Sequence, residues 1–109
     1  MSINLSISCL QYTATKHETI TLKAIKPLIN EAIDLGSDLI ALPESATSIQ
    51  NNPEITKKKS TTESENISLQ TFIEIAKANK LYILIGSLPI KIENKIANRS
   101  FLIGPNGNV

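Results

Sequence analysis

Two hydrophobic rhythms meet at Gly36, and their junction restricts the fold more than any other feature of the chain. Before it, Leu22, Ile25, Leu28, Ile29, Ala32 and Ile33 recur at helical spacing, with Lys23, Lys26, Asn30 and Asp34 on the opposite face. After it, Leu39-Ile40-Ala41-Leu42 runs apolar without a break and closes on Pro43-Glu44. Glycine supplies the left-handed residue that ends many helices, so the order is helix, turn, buried strand, acid. Upstream, Ile3, Leu5, Ile7 and Cys9 alternate with Asn4, Ser6 and Ser8, the period of a strand from about residue 3 to 11. In open α/β sheets, ligands bind beyond the C-terminal ends of the strands. Glu44 stands at such an end, which makes it the prime candidate for a functional residue.

The first helix is expected over 16–35. Thr15-Lys16-His17-Glu18 has the form of a capping box, with a hydroxyl for an orphan N–H and a Glu three residues on. Pro27 removes one helical hydrogen bond at a cost of about 3 kcal/mol. The apolar period continues on both sides of it, so one kinked helix is predicted. Residues 45–61 hold little apolar matter and include Asn51-Asn52-Pro53 and Lys57-Lys58-Lys59. They read as a loop, either a pocket rim or mobile chain. A second helix over 65–79, starting near Thr62 or Asn66, would bury Leu69, Phe72, Ile73 and Ala76.

Further strands fall near 38–43, 82–88, 89–92 and 96–103, the last two paired around Glu93-Asn94-Lys95. Tyr82-Ile83-Leu84-Ile85 has the continuous apolar character of a strand buried on both faces. The fold class is therefore α/β, with both helices on one face of the sheet. Gly104-Pro105-Asn106-Gly107-Asn108 is a strong turn signal followed only by Val109. The expectation is that residues 1–109 form the N-terminal portion of a single longer domain, with the other sheet face reserved for the rest.

Composition excludes several classes. A net charge of +1 and a hydrophobic share of 41% offer no basic surface for nucleic acid or an anionic membrane. The single cysteine rules out an internal disulfide and suits a cytoplasmic location. The opening residues Met1 to Ser8 lack the basic n-region and apolar block of a signal peptide. Without a secretory signal, the sequons at Asn4, Asn66 and Asn98 carry no weight. The run Leu81 to Ile85 is too short to span a bilayer.

Cys9 reads as a small core residue, His17 as a solvated one without a ligand partner at Thr21, and Lys57-Lys58-Lys59 as a solvated stretch. No glycine-rich phosphate loop exists. The first strand is followed by Tyr12-Thr13-Ala14-Thr15, which argues against a nucleotide-binding doubly wound domain.

Five segments in order resemble the nitrilase superfamily of carbon–nitrogen hydrolases. They are the strand ending in Gln11, the helix with Leu28-Ile29-Asn30-Glu31-Ala32, and Gly36 through Glu44. Leu84-Ile85-Gly86-Ser87-Leu88-Pro89 and Asn98 through Gly107 complete the set. The resemblance implies an α/β/β/α sandwich and a Glu-Lys-Cys triad in which Glu44 matches the general base. The family's Lys and Cys fall beyond Val109; Lys91, Lys95 and Cys9 do not match them. It implies a small-molecule amide or nitrile substrate, amide favoured, no metal or organic cofactor, and homo-oligomerisation of the full-length protein. Asn98-Arg99-Ser100 would lie near the site or form an ordinary strand with an exposed Arg. A member that has lost catalysis and serves in binding or assembly is the alternative.

The residue types suit the chemistry. A thiol titrating near 8.5 is mostly protonated at neutral pH and needs a base beside it. A carboxylate, ordinarily near 4.3, becomes a better base when partly buried. A Lys ammonium stabilises the negative charge that develops on the substrate.

Overall fold

A computed structural model describes residues 3–109; Met1 and Ser2, the first residues of the segment tested for a signal peptide, lie outside it. The elements run β1 (Ile7–Cys9), α1 (Glu18–Asp34), β2 (Leu39–Leu42), α2 (Pro53–Lys59), a 3-10 turn (Glu63–Glu65), α3 (Ile67–Asn79), β3 (Tyr82–Ile92) and β4 (Lys95–Ile103). They form one sheet in the order β1-β2-β3-β4, the first three parallel and β4 antiparallel to β3. The α/β class is as expected, and so is the pairing of the last two strands.

Alternation along the strands sorts the sheet into two faces. Ile40, Leu42, Ile83, Ile85, Phe101 and Ile103 are buried in one cluster with Ile25, Ile29 and Ala32 of α1 and Leu69, Phe72 and Ala76 of α3. Both helices thus cover one face. The alternate residues Ile7, Cys9, Tyr82, Leu84 and Leu102 are exposed on the other.

Two expectations fail here for one reason. Cys9 is exposed, not in the core, because its strand turns it away from the helices. Tyr82 and Leu84 are exposed, so β3 is buried on one face and not on both. The first strand is also shorter than 3–11. It pairs only where the four residues of β2 offer partners, Ile7 to Leu39 through Cys9 to Ala41. The Ser6 amide is held by the Asp38 carboxylate at 2.8 Å instead.

α1 is one helix through Pro27, with Thr21, Ile25, Ile29 and Ala32 on its buried face. Its end is a Schellman motif. Gly36 has φ 78, its amide donates to Ile33 O at 3.0 Å, and the Ser37 amide donates to Ala32 O at 3.2 Å. The start differs from the capping box. The helix begins at Glu18 with His17 as N-cap and no side-chain cap. The reach-back comes from Thr21, whose buried hydroxyl accepts the Thr15 amide at 2.9 Å, and not from Glu18.

The 45–61 segment is not all loop, since it contains α2. Asn52 Oδ1 accepts the Glu54 amide at 2.9 Å, Pro53 occupies the first turn, and Lys57, Lys58 and Lys59 sit in the last. This is a cap, an N-terminal proline and a favourable charge for the helix dipole. Asn66 caps α3 through the Leu69 amide at 2.8 Å. The two strands expected at 82–88 and 89–92 are one strand, broken in register between Ile85 and Leu88. There Gly86 and Ser87 oppose the single residue Ser100, a β-bulge. The Gly104–Gly107 turn forms, with the Gly107 amide on Gly104 O at 2.9 Å.

Candidate active site

Glu44 is the second residue past β2, at the C-terminal end of a parallel strand, and the bulge in β3 sets its place. A Cβ on Gly86 would stand 2.4 Å from the Pro43 carbonyl carbon and 2.6 Å from the Glu44 nitrogen. Only glycine lets β3 pass so close beneath that corner. Ser87 then grips the far side. Its hydroxyl accepts the Ser45 amide at 2.8 Å, and its carbonyl accepts the Ala46 amide at 3.0 Å. Ser45 itself has φ 50, a left-handed conformation at a non-glycine residue. The chain therefore turns sharply just after the acid.

Other contacts fix the segment that follows. Tyr12 donates its hydroxyl to Ala46 O at 2.8 Å, and burial pushes that hydroxyl up to about 12. Thr47 and Ser68 share a buried hydroxyl bond at 2.7 Å. The Ser100 hydroxyl donates to Gly86 O at 2.6 Å, bracing the bulge from β4. Asn98 donates from Nδ2 to Glu44 Oε1 at 3.3 Å.

The three residues Asn98-Arg99-Ser100 thus divide. Asn98 and Ser100 face the acid corner, while Arg99 Nη1 lies 3.6 Å from Glu63 Oε1, an exposed pair of little energetic weight.

Glu44 is exposed, not partly buried as expected. Its carboxylate emerges on the helix-free side, where residues 3–109 provide no opposing wall. Beside it opens a cleft of about 500 Å³, lined by Ser45, Gln50, Lys59, Thr61, Pro89 and Asn98 among others. Much of its wall comes from the 45–61 segment. The Lys91 amide donates to Thr61 O at 2.8 Å, a parallel bridge to Ile90 that ties the end of this segment to the far half of β3. His17 is exposed, as expected, and lies outside this lining.

The structure brings Glu44 and Asn98, both singled out in the sequence, together at this corner; Tyr12, Ser87 and Gly86, which also shape it, were not singled out. In the sequence Gly86-Ser87 stands out only as part of the Leu84–Pro89 segment that carries the family resemblance. A glycine inside an apolar strand also signals a bulge or a close backbone approach, and that is its role here.

The sequence matches the carbon-nitrogen hydrolase family profile over residues 6–109. The chain belongs to this family, and with it to the nitrilase superfamily. A hydrolase of Schizosaccharomyces pombe is 27% identical over 103 residues, 94% of this chain and 32% of the relative. The chain thus spans about a third of that relative's length.

Among solved structures, the C. elegans NitFhit protein superposes with a TM-score of 0.82 at 19% identity, covering 93% of this chain and 25% of that one. An N-terminal amidase with a Gln-Gly peptide gives 0.82 at 18% identity, covering 95% and 26%. A variant of the Nesterenkonia sp. AN1 amidase, with acrylamide added at its active-site cysteine, gives 0.78 at 18% identity, covering 96% and 41%. At these identities the structures establish a shared fold. No helix among the described residues is long and apolar enough to cross a membrane.

Proposed function

We propose that this chain is the first part of one larger hydrolase domain that cleaves a non-peptide C–N bond, with Glu44 as general base. The observation that carries this reading is the Glu44 corner. One acid at the end of a parallel strand is held from below by Gly86, from behind by Ser87 and at its carboxylate by Asn98, beside an open cleft. The remainder of the domain would cover the helix-free face and supply the lysine and cysteine. An amide is favoured over a nitrile as substrate, in keeping with the amidases among the structural relatives.

In the proposed cycle Glu44 takes the cysteine thiol proton as the thiolate attacks the amide carbon. The lysine ammonium stabilises the oxyanion. Collapse breaks the C–N bond, and Glu44 returns the proton to the departing nitrogen, releasing ammonia and leaving a thioester. Glu44 then draws a proton from water, which attacks the thioester carbon. The carboxylic acid leaves and the thiol is restored.

The test is Glu44→Gln in the complete protein, with ammonia release from a panel of short primary amides as readout. The amide side chain keeps the shape and loses the basicity, so turnover should fall by about 10²–10⁴-fold, with thermal unfolding unchanged. Turnover near the wild-type rate would remove Glu44 from the mechanism. A wild-type protein silent across the panel would point to a non-catalytic family member.

A further inference from the structure

β4 presents Asn98 and Ser100 two residues apart, hence on the same face, while Phe101 and Ile103 are buried toward the helices. The two side chains act on the two parts of one corner. Ser100 bonds Gly86 O at 2.6 Å, and Gly86 is the residue against which the Pro43–Glu44 peptide rests. Asn98 bonds Glu44 Oε1 at 3.3 Å. A single strand thus steadies the main chain beneath the acid and the carboxylate above it.

We propose that Asn98 is a positioning residue for Glu44: it engages Oε1 and leaves Oε2 to exchange the proton. The inference rests on Glu44 serving as the base. Asparagine suits the task because it donates through a neutral group. A lysine there would hold the carboxylate ionised and weaken it as a base, and an aspartate would repel it. The need for a tether follows from exposure. An untethered Glu side chain at the surface populates several rotamers, and about 1 Å of misplacement can cost a hundredfold in rate.

Two readouts in the complete protein test this. The first is turnover of the fastest amide in the panel above. Asn98→Ala should lower kcat by between about tenfold and a hundredfold with KM within about twofold, since the contact orients the base and does not hold substrate. In Asn98→Asp a second carboxylate faces Glu44, so the acid limb of the kcat profile should move to higher pH. A merely structural role leaves that limb in place.

The second readout needs no substrate. The Asn98 side-chain amide signals in a ¹⁵N spectrum should move as the solution is acidified, and stay fixed in Glu44→Gln. Both variants turning over within twofold of wild type with an unmoved limb would overturn the proposal, as would amide signals indifferent to Glu44. If Glu44→Gln turns over normally, the base reading itself falls and Asn98 has no base to position, whatever the spectrum shows.

Discussion

The two faces of the sheet are written in the same alternation and end in opposite conditions. Toward the helices, Ile40, Leu42, Ile83, Ile85, Phe101 and Ile103 retain 5% or less of their surface. On the other side, Ile7 keeps 51%, Tyr82 44%, Leu84 40% and Leu102 51%. Apolar side chains at strand spacing fix which residues share a face, but they do not say what covers it. The wet face is also where Glu44, Asn98 and Ser100 emerge. In this chain the dry face holds the fold together, and the face that carries the candidate chemistry is the exposed one.

A matched pair of truncations in the complete protein, measured by chemical denaturation, tests the difference between the two faces most directly. Phe72→Ala empties a fully buried position on the helix side and should cost about 3–5 kcal/mol. Leu84→Ala on the opposite face should cost about 2 kcal/mol if a second layer covers it. A cost below about 0.5 kcal/mol, the value of an ordinary surface site, would leave the face exposed in the whole protein and rule out that layer.

Gly86→Ala probes the seam between the faces. Its Cβ would meet three backbone atoms within 2.6 Å, and no rotamer change relieves a backbone clash. A loss of about 3 kcal/mol is expected, together with a fall in turnover because the Glu44 corner moves. A variant as stable and active as wild type would show that Gly86 does not seat the acid.

Much of this was legible from residue patterns, and the gaps have definite causes. The α1 stripe, the Gly36 stop and the apolar run into Glu44 are local signals, and each is in place. The α2 helix was legible too, since Asn52-Pro53 is a cap followed by a first-turn proline, but the low apolar content of 45–61 outweighed it. Its helix buries no residue, so periodicity had nothing to detect. The exposure of Cys9, Tyr82 and Leu84 could not be read, because it depends on which face the helices choose. The Ser87 and Asn98 contacts span 42 and 54 residues. A single sequence carries no local trace of such pairings.

The smallest expected effect tests how firmly the chain beyond Glu44 is tied to the dry side. Tyr12 donates to Ala46 O at 2.8 Å, and burial pushes its hydroxyl from 10.0 up to about 12. The folded state therefore keeps this proton over a range in which the unfolded chain has lost it. Between about pH 10 and 12 the folded protein binds more protons than the unfolded one, so stability falls as pH rises. The contribution of Tyr12 is complete below pH 10 and lost through 12. Tyr12→Phe should cost about 1 kcal/mol at neutral pH by removing the hydrogen bond. The deficit relative to wild type should then shrink as pH climbs through that window, because only wild type has a phenol there to ionise. Denaturation midpoints for the two proteins at pH 8 and pH 11 decide it. A gap that stays constant would mean that the Tyr12 hydroxyl is solvated in the folded protein and that the Ala46 tether is loose.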